Sequence, residues 1–477
     1  MNIHKLLFLF LFLFSLSVVD LVSQPKSVKY GQVSITVRQD RDMQKFRENR
    51  FGQFIHWGLF SIPAGEWNGK IYPGASEFLK SYAKISTDDW EELKHQFNPV
   101  HYDPRQWAKY AQQMGVKYAT LTTKHHEGFC LWPSEYTDFD MDETPSKRDL
   151  VGEFVKAYND AGIDVYLYYS ILDWHHPDWR YKLENKEDSA AFDRFRKYVK
   201  NQMTELLQRY PTIKGFWIDG TWDESWKKSG KFSYELEVYL KKISPGLIIN
   251  SRFRADEYGA RHFDSNGILM GDYESGYERR LPSPYDTIVP TRDWEAVMTI
   301  PENIWGYHKQ WNGHIKSSHE LIEMLTRCVA LNGNFLLNFG PKADGSFREE
   351  EIRLFDEIGQ WVHTNGNVIF KCGYAGFERQ DWGYYTARKN SNTINMVVFN
   401  VPVSKSLRVK LPVKLQLVSA KFAGSSRDMK GDIEIDESVK GEYFLHIPDV
   451  NYKKPFVIEI EVKQLEGNGN YYMAPLI

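Results

Sequence analysis

The sequence predicts an α/β fold class, a (β/α)₈-like TIM barrel followed by a C-terminal antiparallel β-sandwich. From about residue 51 to residue 370, short apolar runs alternate with amphipathic helical stretches, which is typical of parallel βα units. After Phe370, strand-like runs follow one another with turns between them and no helix pattern, which is typical of a small sandwich. A chain of 477 residues can form one large and one smaller domain.

The predicted catalytic barrel domain covers residues 28–370. Its strand-like runs are residues 51–57, 118–123, 165–170, 215–219, 247–250 and 334–339. The helix patterns between them are residues 87–97, 104–114, 150–161, 190–210 and 318–331. Asp103 before Pro104 supplies an N-cap and a first-turn proline, and Gly115 and Gly162 stand where helices should end.

The predicted β-sandwich domain covers residues 371–463, and a frayed tail covers residues 464–477. Its strand-like runs are residues 384–388, 393–400, 406–411, 415–422, 442–447 and 456–462. The sequence contains no internal repeat and no low-complexity linker, so we expect the two domains to pack closely.

The first 23 residues have the pattern of a secretory signal peptide. A short basic start precedes a run of Leu and Phe, and Ser23 offers a small residue for cleavage before Gln24. The apolar run is too short for a comfortable membrane span, and no second such run follows. We therefore expect export to the periplasm or the extracellular space, without membrane insertion of the mature chain.

Composition excludes some classes of partner and favours another. A net charge of −3 and a pI near 6.6 give no electrostatic reason to expect nucleic-acid binding. Cys130, Cys328 and Cys372 are too few and too widely spaced for a disulfide framework or a paired metal site. Aromatic residues make up 15% of the chain, which suits a protein that binds sugars and equally suits a large core.

Histidines follow two of the predicted barrel strands. Because polar residues at the carboxyl ends of barrel strands face the active site, His56, His125 and His126 are candidate binding residues. Adjacent strand residues point to opposite faces, so the two neighbouring histidines rarely serve one metal ion. A metal site is therefore the less favoured interpretation, and hydrogen bonds to sugar hydroxyls fit better.

Strand alternation selects three further candidates. Tyr168 shares the inward face of its strand with Tyr166 and Ser170. Trp217 and Asp219 share one face of the run 215–219, which ends in Asp219. This pattern is expected for a carboxylate beside a sugar-stacking ring. An aspartate that caps a turn or the next helix would give the same sequence pattern, so the pattern alone favours neither interpretation.

A glycosidase needs a second carboxyl group that protonates the leaving oxygen. Glu295 follows Trp294 and enters an apolar run, where burial would raise its pKa as an acid catalyst requires. Glu274 and Glu278 lie in a polar stretch rich in Gly and Tyr and are more readily interpreted as solvated loop charges. Arg252, after another strand run, could orient a hydroxyl or a carboxylate.

Six short motifs spread over nearly all of the mature chain carry a family resemblance. They are Phe51-Gly52-Gln53-Phe54-Ile55-His56-Trp57-Gly58, Thr123-Lys124-His125-His126-Glu127-Gly128-Phe129, Tyr168-Tyr169-Ser170, Trp217-Ile218-Asp219-Gly220, Trp294-Glu295 before Met298-Thr299-Ile300, and Asn332-Gly333-Asn334-Phe335-Leu336-Leu337-Asn338, which continues into residues 340–345. In this order and spacing they resemble the α-L-fucosidases of glycoside hydrolase family 29.

The resemblance implies a retaining exo-hydrolase that removes terminal α-L-fucose from glycans and uses no metal and no other cofactor. It implies Asp219 as the nucleophile that forms a covalent fucosyl intermediate and Glu295 as the acid/base, with Glu274 in reserve. The implied fucose-binding residues are His56, Glu77, His125, His126, Tyr168, Trp217 and Arg252. Glu66 is the rival of Glu77, because both lie in a variable loop.

Three alternatives to this function remain open on the sequence. One is a metal-dependent hydrolase built on His125 and His126. The second is a carbohydrate-binding protein that keeps the barrel without catalysis, against which the presence of both carboxylates counts. The third is an exo-hydrolase of a related sugar such as galactose, whose C6 hydroxyl would lie unpaired in an apolar pocket. The fucosyl linkage depends on loops that sequence patterns do not define.

Overall fold

The computed structural model describes residues 27–465, except 33–36, 284, 287–288, 290, 378, 425–430, 450–451 and 453. The expected signal peptide, residues 1–23, lies outside the described residues. Of the expected tail, only Gln464 and Leu465 are described, and Gln464 is the last residue of a strand.

An eight-stranded parallel sheet forms the larger part of the molecule and confirms the predicted barrel class. Its strands are β1 (Phe51–Ile55), β2 (Tyr118–Lys124), β3 (Asp164–Ser170), β4 (Gly215–Asp219), β5 (Ile248–Ile249), β6 (Glu274–Glu278), β7 (Trp294–Thr299) and β8 (Asn334–Phe339). They pair in the order β5-β4-β3-β2-β1-β8-β7-β6. A parallel bridge between Asn250 and Tyr273 joins the two outermost strands and closes the barrel.

Seven helices of nine or more residues occur in the described part of the chain. They are α1 (Arg41–Asn49), α2 (Pro104–Met114), α3 (Leu150–Asp160), α4 (Lys186–Arg209), α5 (Gly230–Ile243), α6 (Ser318–Ala330) and α7 (Glu349–Asn365). Shorter helical turns are Leu59–Ser61, Ser76–Phe78, Leu79–Tyr82, Thr87–Glu91, Glu92–Gln96, Met141–Glu143, Glu224–Lys227 and Gly366–Val368. Helices α2 to α5 each lie between two consecutive barrel strands, as the sequence alternation predicts.

The barrel departs from regular alternation on one side. No helix is described between β5 and β6 or between β6 and β7, where the chain runs as irregular loops with isolated bridges. The sequence analysis also did not assign α1, α5, α7, β6 and β7. The strand Glu274–Glu278 contains two glutamates and a glycine, so it lacks the apolar run by which the other strands were recognised.

The interior of the barrel is filled by large side chains. Tyr166, Tyr168 and Trp217 point inward, as strand alternation predicts, and pack with Phe54, Tyr118, Tyr273 and neighbouring apolar residues. Helix α1 adds Phe46 to this cluster, in ring contact with Tyr118, Tyr166 and Tyr273. The barrel is therefore a packed core below an open end that carries polar groups.

Two antiparallel sheets follow the barrel and confirm the predicted C-terminal fold. Their strands are β9 (Cys372–Gly373), β10 (Gly383–Arg388), β11 (Thr393–Val398), β12 (Ser406–Lys410), β13 (Leu415–Ala423), β14 (Glu434–Val439), β15 (Glu442–His446) and β16 (Phe456–Gln464). The sheet orders are β9-β10-β11-β16-β13 and β12-β15-β14. The indole of Trp361 in α7 donates to Pro455 O at 2.9 Å, and Thr386 donates to Val368 O at 2.8 Å, so this region packs on the barrel helices.

Candidate active site

A cavity of about 470 Å³ opens at the carboxyl end of the barrel strands. We call it the active-site cavity. Its lining residues are Phe54, His56, Ala75, Glu77, Phe78, Tyr82, His125, His126, Tyr168, Trp217, Asp219, Trp222, Arg252, Arg261, His262, Gly276, Glu278, Arg279 and Trp305. Every binding residue expected from the sequence is in this set, together with Asp219.

Asp219 is the last residue of β4 and is held by three cavity side chains. Its Oδ1 accepts a hydrogen bond from Arg252 Nη1 at 2.9 Å, and its Oδ2 accepts one from the Tyr168 hydroxyl at 3.2 Å. His126 Nε2 lies 3.8 Å from the same Oδ2. Burial works against the charge of Asp219, but Arg252 and His126 outweigh it and hold the pKa of this carboxyl below its ordinary value. Asp219 is therefore ionised at neutral pH.

The local backbone explains why Asp219 faces the cavity. Gly220 follows it with φ +71°, a left-handed conformation that glycine adopts without strain. A Cβ atom at this position would lie 2.5 Å from the backbone nitrogen of Leu172, so a larger residue would collide with the loop after β3. The chain consequently turns sharply as soon as β4 ends, and the carboxylate stands at the strand end.

Arg252 joins Asp219 to a second carboxylate, Glu278. Its Nη2 donates to Glu278 Oε2 at 2.6 Å and to Ser275 O at 3.1 Å, while Nη1 is bonded to Asp219. The guanidinium also lies 4.7 Å from the ring of Trp217. Glu278 is the last residue of β6, and its side chain is 27% exposed. One arginine thus fixes two carboxylates in the same cavity.

Two of the cavity histidines are neutral, with tautomers that their neighbours determine. The amide of Asn338 donates to Trp305 O, so its Oδ1 faces His56 Nδ1 at 2.6 Å and must accept from it. Ser170 donates to Leu172 O and can accept from His126 Nδ1 at 2.7 Å. Each ring then has Nε2 as a free acceptor.

Burial keeps these rings uncharged. It lowers the pKa of His56 to about 3 and the pKa of His126 to about 4. The pKa of His125 is lowered well below its ordinary value by burial and by the two other histidines. His125 stacks on Tyr168 with ring centres 5.5 Å apart, and its Nδ1 has no partner among the described residues.

Glu77, and not its rival Glu66, lines the cavity. Glu77 Oε2 accepts from the backbone N–H of Gly306 at 3.0 Å, and Oε1 is buried without a partner among the described residues. Burial raises the pKa of Glu77 to about 7. Glu66 lies in a short hairpin, Glu66–Trp67 with Lys70–Ile71, and pairs with Lys309 at 2.8 Å.

Glu295, the expected acid/base, does not line the cavity. It is the second residue of β7, is 0% exposed, and lies inside the closed barrel. Its Oε2 accepts from the Tyr118 hydroxyl at 2.6 Å, and its Oε1 accepts from Trp217 Nε1 at 3.0 Å. Glu295 is fully buried outside the cavity lining and bonded to two core side chains, so the expectation that it faces the substrate is wrong on geometry.

The reserve candidate, Glu274, is also outside the cavity lining. It begins β6, is buried, and accepts a hydrogen bond from Gly276 and one from His262 at 3.1 Å. The reading of Glu274 and Glu278 as solvated loop charges is therefore wrong, because both belong to a barrel strand. The rule that strand ends carry the active site selects Glu278 once this strand is recognised.

Loops supply several cavity residues that the sequence analysis did not single out. Trp305 lies over His56 with ring centres 5.1 Å apart, and Trp222 meets the edge of His126 at 5.2 Å. Arg261, His262 and Arg279 come from the irregular segments around β6. Such residues follow no periodic pattern, so nothing in the sequence short of an alignment marks them. Within the described chain, no group of three or more His, Cys, Asp or Glu side chains is arranged to hold a metal ion.

Comparison with known proteins identifies the family. The family model for α-L-fucosidase matches residues 17–367. The chain belongs to the α-L-fucosidase family. It is a glycoside hydrolase with α-L-fucosidase activity. The α-L-fucosidase of Branchiostoma floridae is 28% identical over 81% of this chain and 85% of its own length, and human tissue α-L-fucosidase is 27% identical over 85% of both.

Solved structures of this family superpose closely on the chain. An α-L-fucosidase of glycoside hydrolase family 29 from Bacteroides thetaiotaomicron is 52% identical, with a TM-score of 0.89 over 93% of this chain and 100% of its own. A family 29 α-L-fucosidase from the same bacterium was trapped as a covalent intermediate with 2-fluoro-fucosyl fluoride in a glutamate-to-glutamine mutant, at a TM-score of 0.89, with 92% of this chain covered. None of the helices described here is long and apolar enough to cross a membrane.

Proposed function

We propose that the chain is a retaining exo-α-L-fucosidase in which Asp219 is the nucleophile and Glu278 is the acid/base. The observation that carries the proposal is the guanidinium of Arg252, which binds both carboxylates at the open end of the barrel. Two carboxylates bound to one guanidinium group lie close together, and retaining glycosidases use two carboxyl groups about 5–5.5 Å apart. Glu278 takes the role that the sequence analysis gave to Glu295.

In the first step the Asp219 carboxylate attacks C1 of the terminal fucose. The bond from C1 to the glycosidic oxygen breaks, and that oxygen takes the proton of Glu278 and leaves as an alcohol. Arg252 and Tyr168 keep Asp219 oriented, because they bind one carboxylate oxygen each. The product of this step is a fucosyl ester of Asp219, and Glu278 is now a carboxylate.

In the second step Glu278 takes a proton from water, and the water oxygen attacks C1. The ester bond to Asp219 breaks, fucose is released with its anomeric configuration retained, and Glu278 is again protonated. Glu278 suits both steps because its side chain is partly exposed and so can reach the leaving group and then water.

The remaining cavity residues are proposed to bind the fucose ring. His56 and His126 offer acceptor nitrogens to hydroxyl groups, and Glu77 offers the unpartnered oxygen Oε1. Tyr168, Trp217 and Trp305 provide the apolar faces against which a sugar ring and its C6 methyl group pack. The substrate class is a fucosylated oligosaccharide or glycoconjugate.

The stereochemistry of the product tests this proposal. Hydrolysis of 4-nitrophenyl α-L-fucoside followed by proton NMR should show α-L-fucose first, with the β anomer appearing only by mutarotation. Early appearance of β-L-fucose would mean inversion, and it would remove Asp219 as a nucleophile. The same assay with 4-nitrophenyl α-L-galactoside measures the contribution of the C6 methyl group.

Export of the protein is a further part of the proposal. The pattern of residues 1–23 supports cleavage before Gln24. Expression of the full chain in a bacterium, followed by mass spectrometry of the mature N-terminus, should yield a chain that begins at Gln24 outside the cytoplasm. A chain that keeps Met1 and stays in the cytoplasm would contradict it.

A further inference from the structure

We propose that the leaving-group side of the active-site cavity binds an anionic substituent, a carboxylate or a sulfate ester, on the group that carries the fucose. Arg261 is its main ligand and Arg279 its second. The inference rests on the proposed function, because it concerns the same cavity. It adds a substrate class, since the favoured fucosides are those attached to an acidic sugar or another anionic group.

Arg261 is a half-buried cation without a carboxylate partner. Among the described residues it forms no ion pair, its Nε is buried without an acceptor, and its Nη2 donates to Thr221 Oγ1 at 2.7 Å. A guanidinium carries five N–H donors, so most of its capacity is free. Burial lowers its pKa to about 10, which leaves it charged at neutral pH.

Other arginines nearby differ in this respect. Arg252 binds Asp219 and Glu278, and the fully buried Arg254 binds Glu237 at 2.7 Å. Asp219 and, more weakly, Asp223 attract Arg261 electrostatically, but neither forms an ion pair with it. A desolvated charge is costly when it is not paired, so the unmatched Arg261 in a substrate cavity points to a ligand anion.

Arg279 places a second cation beside the acid/base. Its Nη2 lies 3.6 Å from Glu278 Oε1, and its side chain is 42% exposed at the cavity entrance. Arg252 already binds the other oxygen of Glu278. When Glu278 carries the proton that it gives to the leaving oxygen, Arg279 loses the charge of its ion-pair partner. An anionic leaving group would supply one at that stage.

The positions of both arginines fit the leaving-group side. Arg279 directly follows Glu278, which faces the glycosidic oxygen in the proposed mechanism. Arg261 is bonded to Thr221 and precedes His262, whose ring is bonded to Glu274 at the start of the same strand β6. Nδ1 of His262 contacts both Glu274 and Ser251, so this ring atom is not available to a ligand, whereas the guanidinium groups of both arginines carry further N–H donors. Guanidinium groups bind carboxylates and sulfate-like anions with paired hydrogen bonds.

The test compares matched aryl α-L-fucosides. The leaving phenols have equal acidity and carry a carboxylate, a sulfonate or an uncharged ester. For the wild-type chain, kcat/KM should be about tenfold higher for at least one anionic substrate than for the neutral one. The carboxylate and sulfonate results distinguish an acidic sugar from a sulfated one.

Three variants locate the effect. Arg261→Gln should reduce the ratio of anionic to neutral kcat/KM to about one, whereas Arg261→Lys should keep part of it, since the charge remains. Arg280→Gln, which changes an exposed arginine outside the cavity lining, is the control and should keep the wild-type ratio. If Arg261→Gln does not fold, two other measurements replace it. The Arg279→Gln substitution and the addition of salt to the wild-type chain should each lower the ratio of anionic to neutral kcat/KM.

The inference is overturned if the neutral substrate is cleaved but the wild-type ratio of anionic to neutral kcat/KM is one. It is also overturned if Arg261→Gln leaves that ratio unchanged. If the wild-type chain cleaves no fucoside of the series, the proposed function itself fails. The two failures are therefore separate results.

Discussion

Two neighbouring barrel strands each carry a glutamate beside an aromatic residue, and only one of the glutamates faces the cavity. Tyr277-Glu278 ends β6, whereas Trp294-Glu295 begins β7. Glu278 is bonded to Arg252 at the open end, and Glu295 is bonded to Tyr118 and Trp217 inside the closed barrel. Position along the strand, more than the chemical neighbourhood, decides which of them can touch a substrate.

The electrostatic environment alone would have favoured the wrong glutamate. Burial raises the pKa of Glu295 to about 7, a value that suits an acid catalyst at neutral pH. However, Glu295 is 0% exposed and both its oxygens are occupied. It supports the indole of Trp217, which lies against Arg252. A perturbed pKa identifies a catalytic group only when the group also reaches the reacting atoms.

The largest expected effect on activity is that of replacing Asp219, the proposed nucleophile. Asp219→Gly should lower kcat on 4-nitrophenyl α-L-fucoside by a factor on the order of 10⁴ or more, because no covalent ester can form. Added azide should restore part of the rate from the opposite face and yield β-L-fucosyl azide. Ordinary activity in this variant would show that another residue is the nucleophile.

Glu278→Gln should have the next largest effect. The loss should be about 10²–10⁴-fold on a substrate with a poor leaving group, such as a fucosylated disaccharide, because its oxygen needs the proton. It should be smaller for a dinitrophenyl fucoside, whose phenol leaves without help. Steady-state kinetics on the two substrates measures this difference, and equal losses on both would count against an acid role.

Glu295→Gln should change kinetics less. The amide oxygen of a glutamine can still accept from Trp217, and its NH₂ group can donate to the hydroxyl oxygen of Tyr118. The ring of Trp217 should therefore shift only slightly, and we expect kcat/KM to fall by about tenfold or less. The loss should be the same for good and poor leaving groups, since Glu295 gives no proton to the substrate. A loss that grows with the basicity of the leaving group would return Glu295 to the acid/base role.

The smallest effect concerns stability and pH. The pKa of Glu295 is about 7 in the folded chain and ordinarily 4.5, so the protonated group stabilises the fold relative to the charged one. That stabilisation is complete below about pH 4.5 and is lost as the pH rises to about 7. Relative to wild type, Glu295→Gln should gain up to about 3 kcal/mol in free energy of unfolding over this interval. Urea unfolding at pH 5 and pH 8 measures the gain, and a constant difference would contradict it.

The sequence predicts best where an element is apolar, periodic and capped. Strands β4 and β8 and helix α2 have the predicted bounds. For α2 the reason is visible in the structure, since Asp103 accepts from Arg105 and Gln106 and Gly115 adopts φ +88°. Because β4 was placed correctly, Asp219 was found from its end. Strands β1, β2 and β3 were placed to within two residues at each end, which was enough to find the histidines and Tyr168.

The parts that were missed lack those signals. The strand Glu274–Glu278 pairs along its length with β7 only, has an irregular register, and carries charged residues on both ends. Because this strand was not recognised, the rule that active-site residues lie at the carboxyl ends of barrel strands could not select Glu278. The acid/base was therefore chosen from the apolar neighbours of Glu295. Arg261, Trp222 and Trp305 enter the cavity from loops, whose conformation depends on contacts distant in sequence.

Azide rescue of the two glutamate variants tests the central claim most directly. Glu278→Ala should form the fucosyl ester from a dinitrophenyl fucoside, release it slowly to water, and release it faster with azide as α-L-fucosyl azide of retained configuration. Glu295→Gln, assayed in parallel, should show no azide acceleration and yield only fucose. Formation of α-L-fucosyl azide by Glu295→Gln and not by Glu278→Ala would contradict the assignment of Glu278 as the acid/base.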